Sequence, residues 1–172
     1  MSFNFKCPSC GEVHEGVPSF GAKAPLSYYA IPVNERETRC RLGSNDCVID
    51  GNSFLVRGCL EIPVHGEKEP LSWGVWVDLS EDSFKQWLAS FDKTTRSNVG
   101  PFFGWLDAWI KPYPETMNLK TRVHLRDNGI RPYIELEPTD HPLAIEQREG
   151  ISVSRVAEIY AQMMHDDADR KS

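Results

Sequence analysis

Apolar and polar positions alternate most regularly between residues 54 and 64. There Phe54, Val56, Leu60, Ile62 and Val64 fall on one side, and Leu55, Arg57, Cys59 and Glu61 on the other. Trp73, Val75, Val77 and Leu79 alternate with Gly74, Trp76 and Asp78 in the same way, so two strands joined through residues 66–70 are predicted to pair antiparallel. A third pairing centres on Asn128-Gly129, two residues that tolerate the positive φ of a tight hairpin turn. Counting outward sets Val123 against Ile134, Leu125 against Pro132 and Thr121 against Leu136 on one face. On the other it sets Arg122 against Glu135, Lys120 against Glu137 and His124 against Tyr133, so that opposite charges meet and only Arg126 opposite Arg131 is unfavourable. A slip of one residue would mix the two faces, which fixes the register.

The period changes after Ser80, a natural cap. Phe84, Trp87, Leu88 and Phe91 follow helical spacing, and Leu79 with Phe84 forms a hydrophobic staple, predicting a helix over about 80–91. Ile151 and Val156 repeat the staple before a second helix from Ser152, whose stripe is Val153, Val156, Ala157, Tyr160, Met163 and Met164; the tail after His165 is expected to fray. Residues 17–37 carry Pro18, Gly21, Pro25 and Pro32 and are expected to form an irregular connector with one helical turn near Leu26. The prediction is an α+β fold: an antiparallel sheet of hairpins, two main helices packed on it, and a knuckle at the N-terminus. One domain over 1–172 is expected, with the knuckle at 1–16, strands mostly within 38–137 and a helical part at 140–165.

Composition narrows the function classes more than it selects one. Nineteen Lys and Arg against 25 Asp and Glu leave a net charge of -6, a poor field for gathering phosphate backbones, so no nucleic-acid partner is expected. No stretch has the length and apolarity of a membrane span, and the first residues lack the basic and apolar regions of an export signal, so a cytoplasmic location without membrane contact is expected. In that compartment closely spaced thiols more often hold metal than form disulfides.

The strongest chemical signature is Cys7-Pro8-Ser9-Cys10-Gly11-Glu12-Val13-His14. Two cysteines separated by two residues and followed by glycine turn both thiolates toward one centre, with the glycine there to avoid a Cβ clash, and His14 adds a third donor. Tetrahedral structural zinc needs a fourth, and a second knuckle is missing, so a distant segment must supply it. Cys47, opening a strand near a turn, is the first choice, ahead of Cys40, Cys59 and His141. A redox dithiol would require a thioredoxin-like strand and helix start that the pattern lacks. Elsewhere the structural reading is the better one. Asp140 or His141 before Pro142 reads as a helix cap, Glu135 and Glu137 as a solvated sheet face, and Arg57 as one half of an ion pair with Glu61 or another carboxylate. Trp73, Trp76, Trp105 and Trp109, with Phe102 and Phe103, read as core rather than as a pocket or partner surface. No G-x-S-x-G, P-loop, G-x-G-x-x-G or H-E-x-x-H motif is present.

Taken together, the knuckle with His14, Cys47-Val48-Ile49-Asp50, residues 54–63, Trp73-Gly74-Val75-Trp76-Val77, Phe103-Gly104-Trp105-Leu106 and Asp140-His141-Pro142-Leu143-Ala144 resemble the bacterial family termed domain of unknown function 2199. The likeness runs from Phe5 to about Met164 and brings no assigned activity. It implies that Cys7, Cys10, His14 and Cys47 form a set and argues against Cys40. Three readings follow. The first is a non-catalytic binding or interaction domain, with a protein or small-molecule partner, stabilised by structural zinc. The second is a metal-dependent hydrolase with an open Cys/Cys/His site and His141, Asp140 or a glutamate as base. The third is an inhibitor or immunity-type partner of another bacterial protein.

Overall fold

The computed structural model describes residues 3–165. It is a mixed α+β structure in which five strands close into a barrel, rather than the open sheet of hairpins expected from the pattern. A small antiparallel hairpin opens the chain, β1 (Asn4–Lys6) with β2 (Val13–Glu15). β3 (Ser19–Gly21), α1 (Leu26–Tyr29), a 3-10 turn (Val33–Glu35) and α2 (Arg36–Arg39) follow, so the segment expected to be irregular contributes a strand as well as the helical turn. β4 (Cys40–Leu42) and β5 (Asp46–Ile49) lead to the long central pair, β6 (Ser53–Ile62) and β7 (Leu71–Leu79). After α3 (Glu81–Ser90) come β8 (Phe102–Leu106), β9 (Lys120–His124) and β10 (Tyr133–Leu136), and then α4 (Pro142–Glu149) and α5 (Val153–His165).

Strands β6 to β10 form an up-and-down meander of antiparallel neighbours. An odd number of alternating strands can close only by a parallel pair, and β10 does meet β6 in parallel, at Tyr133 and Cys59, where the Cys59 N–H donates to Pro132 O at 2.8 Å. β6 is long enough to serve two neighbours on one edge. Its first half pairs with β5, and β10 takes the edge at Cys59. β7 is shared likewise, Val77–Leu79 with β8 and Ser72–Gly74 with β3. The interior is filled by Val56, Leu60, Val75, Val77, Leu106, Val123 and Ile134. Space for these branched side chains comes from two glycines that share their face: a Cβ on Gly58 would stand 2.6 Å from Ile134 Cδ1, and one on Gly104 2.2 Å from Val77 Cγ1.

The local elements follow the pattern. The Asn128-Gly129 hairpin has the predicted register, with φ of 62° and 72° in the turn. The Ser83 N–H donates to the Ser80 hydroxyl at the start of α3, and the Leu143 N–H donates to His141 Nδ1 at the start of α4. α5 starts after Ser152 as expected and lies against β1; the tail after His165 falls outside the described residues. On the far side of β6 and β7 a second apolar cluster gathers Ile31, Cys47, Ile49, Leu55 and Trp76.

Candidate metal centre

The β1–β2 turn holds the knuckle. The Gly11 N–H donates to Cys7 O and the Cys7 N–H to Glu12 O, both at 2.9 Å, closing a tight loop around the two thiols. Gly11 is needed for its φ of +74° and not to avoid a clash, since a Cβ there would meet nothing within 4 Å. In the hairpin Phe5 faces His14, and Cys7 follows two residues later on the same side. That side is covered by α5. The Tyr160 ring lies 5.2 Å from Phe5 and 4.4 Å from His14, centroid to centroid, and His165 stands farther along the helix, 6.1 Å from Tyr160.

Two overlapping groups of donors result. Cys7, Cys10 and His165 have ligand atoms within 4.8 Å of one another, and so do Cys10, Glu12 and His14. Cys10 belongs to both, with its Sγ 3.6 Å from His14 Nε2. A tetrahedral ion bonded to sulfur at about 2.3 Å and nitrogen at about 2.0–2.1 Å holds those two atoms about 3.5 Å apart, so the pair already has the spacing of one tetrahedral edge. His165 Nε2 is buried and has no hydrogen-bond partner among the described residues. Cys7 is fully buried while Cys10 and Glu12 are exposed, so the group has a protein side and a solvent side. Burial works to raise the Cys7 thiol, but the backbone N–H groups of Cys10 and Ser9 and the Cys10 thiol outweigh it and leave the thiol below its ordinary range. The first group can hold a metal ion.

Of the residues singled out from sequence, Cys10 meets Cys7 in one group and His14 in the other. Cys47 does not join them. It sits opposite Leu55 in the second apolar cluster, on the other face of the sheet from Phe5 and Tyr160, and burial there pushes its thiol up to about 12. Cys40 packs beside Cys47, and Cys59 lies at the barrel seam. His141 has both ring nitrogens engaged, Nδ1 accepting from Leu143 and Nε2 3.0 Å from Glu115 O. Glu61 pairs with Arg126 at 2.7 Å rather than with Arg57. His165 is the candidate donor that spacing missed. The one signal for it was its place at the end of the amphipathic stripe that carries Tyr160 and Met163.

The aromatic residues divide. Trp73, Trp76 and Phe102 are core, whereas Phe103, Trp105 and Trp109 are 46%, 42% and 59% exposed. No described helix is long and apolar enough to cross a membrane. Comparison with curated proteins and with solved structures finds no match. A family model described as an uncharacterized protein conserved in bacteria (DUF2199) matches residues 6–151, and the chain belongs to that family.

Proposed function

We propose that the chain is a non-catalytic binding domain whose N-terminal hairpin is fastened to α5 by structural zinc, held by Cys7, Cys10, His14 and His165. The observation that carries this reading is the meeting of Cys7 and Cys10 with His165, a residue from the opposite end of the described chain. Two thiolates and two imidazoles are a set suited to zinc, the thiolates balance its charge, and four protein donors leave no position for water. Exposed Phe103, Trp105 and Trp109 supply surface of the kind that engages partners.

Glu12 favours one competing reading. Its carboxylate lies beside Cys10 and His14 on the solvent side, where a base would stand in an open-site hydrolase. Metal content and the spectrum of the cobalt-substituted protein separate the two. Structural zinc predicts one equivalent of metal, tetrahedral cobalt bands that added azide leaves unchanged, and a change in those bands in His165→Ala. Bands that shift with azide and ignore His165→Ala would favour the open site. At free metal about 1,000-fold above Kd, binding adds roughly 4 kcal/mol, so chelation should lower Tm by about 8–16 °C. Unchanged Tm after complete metal removal would end the structural reading.

A further inference from the structure

Beside the barrel, where β3 runs parallel to β7, the chain leaves a hollow of about 230 Å³. Its floor is bare backbone, because Gly21 pairs with Gly74 so closely that a Cβ on Gly21 would lie 3.1 Å from Gly74 Cα. Ala22 and Ala108 keep the walls short, Met163 of α5 closes one side, and Trp109 and Tyr29 stand at the mouth, 59% and 49% exposed. Larger side chains at the alanines would fill this space. Leaving it open forfeits the dispersion contacts that close packing normally provides.

The lining selects a ligand chemistry. Among the described residues, every side chain around the hollow is aliphatic, aromatic or a thioether, with no carboxylate, ammonium, guanidinium or imidazole. None of these side chains would hold an ion, and the net charge of -6 disfavours anions further. Roughly 150 Å³ of apolar cavity is enough for benzene, so this volume suits a fused bicyclic ring. The indole and phenol rings at the mouth offer flat faces for stacking.

We propose that this hollow is a binding site for a small, uncharged, ring-bearing apolar molecule of about ten non-hydrogen atoms. It rests on the binding-domain part of the function proposed above and not on the metal. The probe is 2-naphthol, titrated into the full chain and followed by the backbone amide signals of Gly21 and Gly74 and the indole N–H of Trp109. The expected result is one saturable site that moves these signals together. Affinity should fall at least tenfold in Ala22→Leu, which fills the hollow, and several-fold in Trp109→Ala, which removes an exposed lip without touching the core. Naphthalene-2-sulfonate, similar in size but charged, should bind at least tenfold more weakly. Absence of saturation, equal affinity in both variants, or equal binding of the sulfonate would overturn the proposal. Metal content measured on the same sample keeps the two readings apart. A flat titration of metal-loaded protein removes the site alone, and a normal titration of protein that never holds metal removes the zinc fastening alone.

Discussion

Closure of the barrel at β6 and β10 depends on the missing side chain at Gly58, and Gly58→Ala tests it. The added Cβ would stand 2.6 Å from Ile134 Cδ1, 2.7 Å from its Cγ1 and 2.9 Å from Pro132 O. Ordinary carbon contacts lie at about 3.5–4.0 Å, so something must move by about 1 Å. Ile134 is fully buried, and Pro132 O accepts the Cys59 N–H that forms the seam, so the strain falls on the one parallel pairing of the barrel. Overpacking of this kind costs about 1–3 kcal/mol. Weakening the seam hydrogen bond adds about 1 kcal/mol, and replacing a strand glycine returns about 0.5–1 kcal/mol. The net loss should be about 2 kcal/mol, seen as a lower urea midpoint and a Tm reduced by about 4–8 °C. Adding Ile134→Val to Gly58→Ala removes the nearest atom but not Cγ1 or the carbonyl. It should therefore recover only part of the loss, with a favourable coupling of about 1 kcal/mol. A Gly58→Ala protein within about 0.5 kcal/mol of the parent, or strict additivity with Ile134→Val, would refute the closure argument.

Two further predictions concern the segment that braces the Asn128-Gly129 turn. Arg96 is buried and donates to Arg126 O at 2.7 Å and Ile130 O at 2.8 Å, so Arg96→Met, which leaves both carbonyls without that donor, should cost about 2–4 kcal/mol in urea unfolding; a loss under about 0.5 kcal/mol would show that water replaces the guanidinium freely. Asp127 accepts the backbone N–H groups of Arg96 and Ser97, which hold its carboxyl below the usual range. A carboxyl depressed in the folded state adds stability that is complete above its unfolded pKa of about 3.9 and is lost as pH falls through the folded value. Asp127→Asn should therefore flatten the acid limb of a stability profile measured from pH 2 to 7, and an acid limb identical to the parent's would count against the assignment.

What could be read from the sequence was whatever is set by neighbours in the chain. The hairpin register follows from period two and a turn of two positive-φ residues, and the capping of α3 and α4 from single side chains at helix starts. Closure into a barrel was hidden because its seam joins residues far apart through a single bridged pair. Gly58 and Gly104 are the positions where the barrel interior has no room for a side chain, which no neighbour in the chain reveals. The same divide runs through the candidate centre. Cys7, Cys10 and His14 lie within one short hairpin, so their spacing singled them out. A distant fourth donor had to be chosen from residue type, its place near a turn and the family resemblance, which favoured Cys47, a thiol that lies in an apolar cluster where burial pushes it up to about 12.

The location of the donor cluster has a physical logic of its own. β1 and β2 are three residues each and form a separate two-stranded sheet, a unit that is marginal alone in water. Phe5, part of the main core cluster, packs against Tyr160 of α5. The Cys and His donors lie between this hairpin and the end of that helix. An ion there would close a loop spanning nearly the whole chain, where the entropy of the unfolded state has most to lose. The same helix carries Met163 to the wall of the apolar hollow, and Phe20 links Tyr160 to Trp73 in its lining, at ring separations of 6.5 and 5.0 Å. A metal bound at His165 would thus also steady one wall of the space into which a ligand would fit.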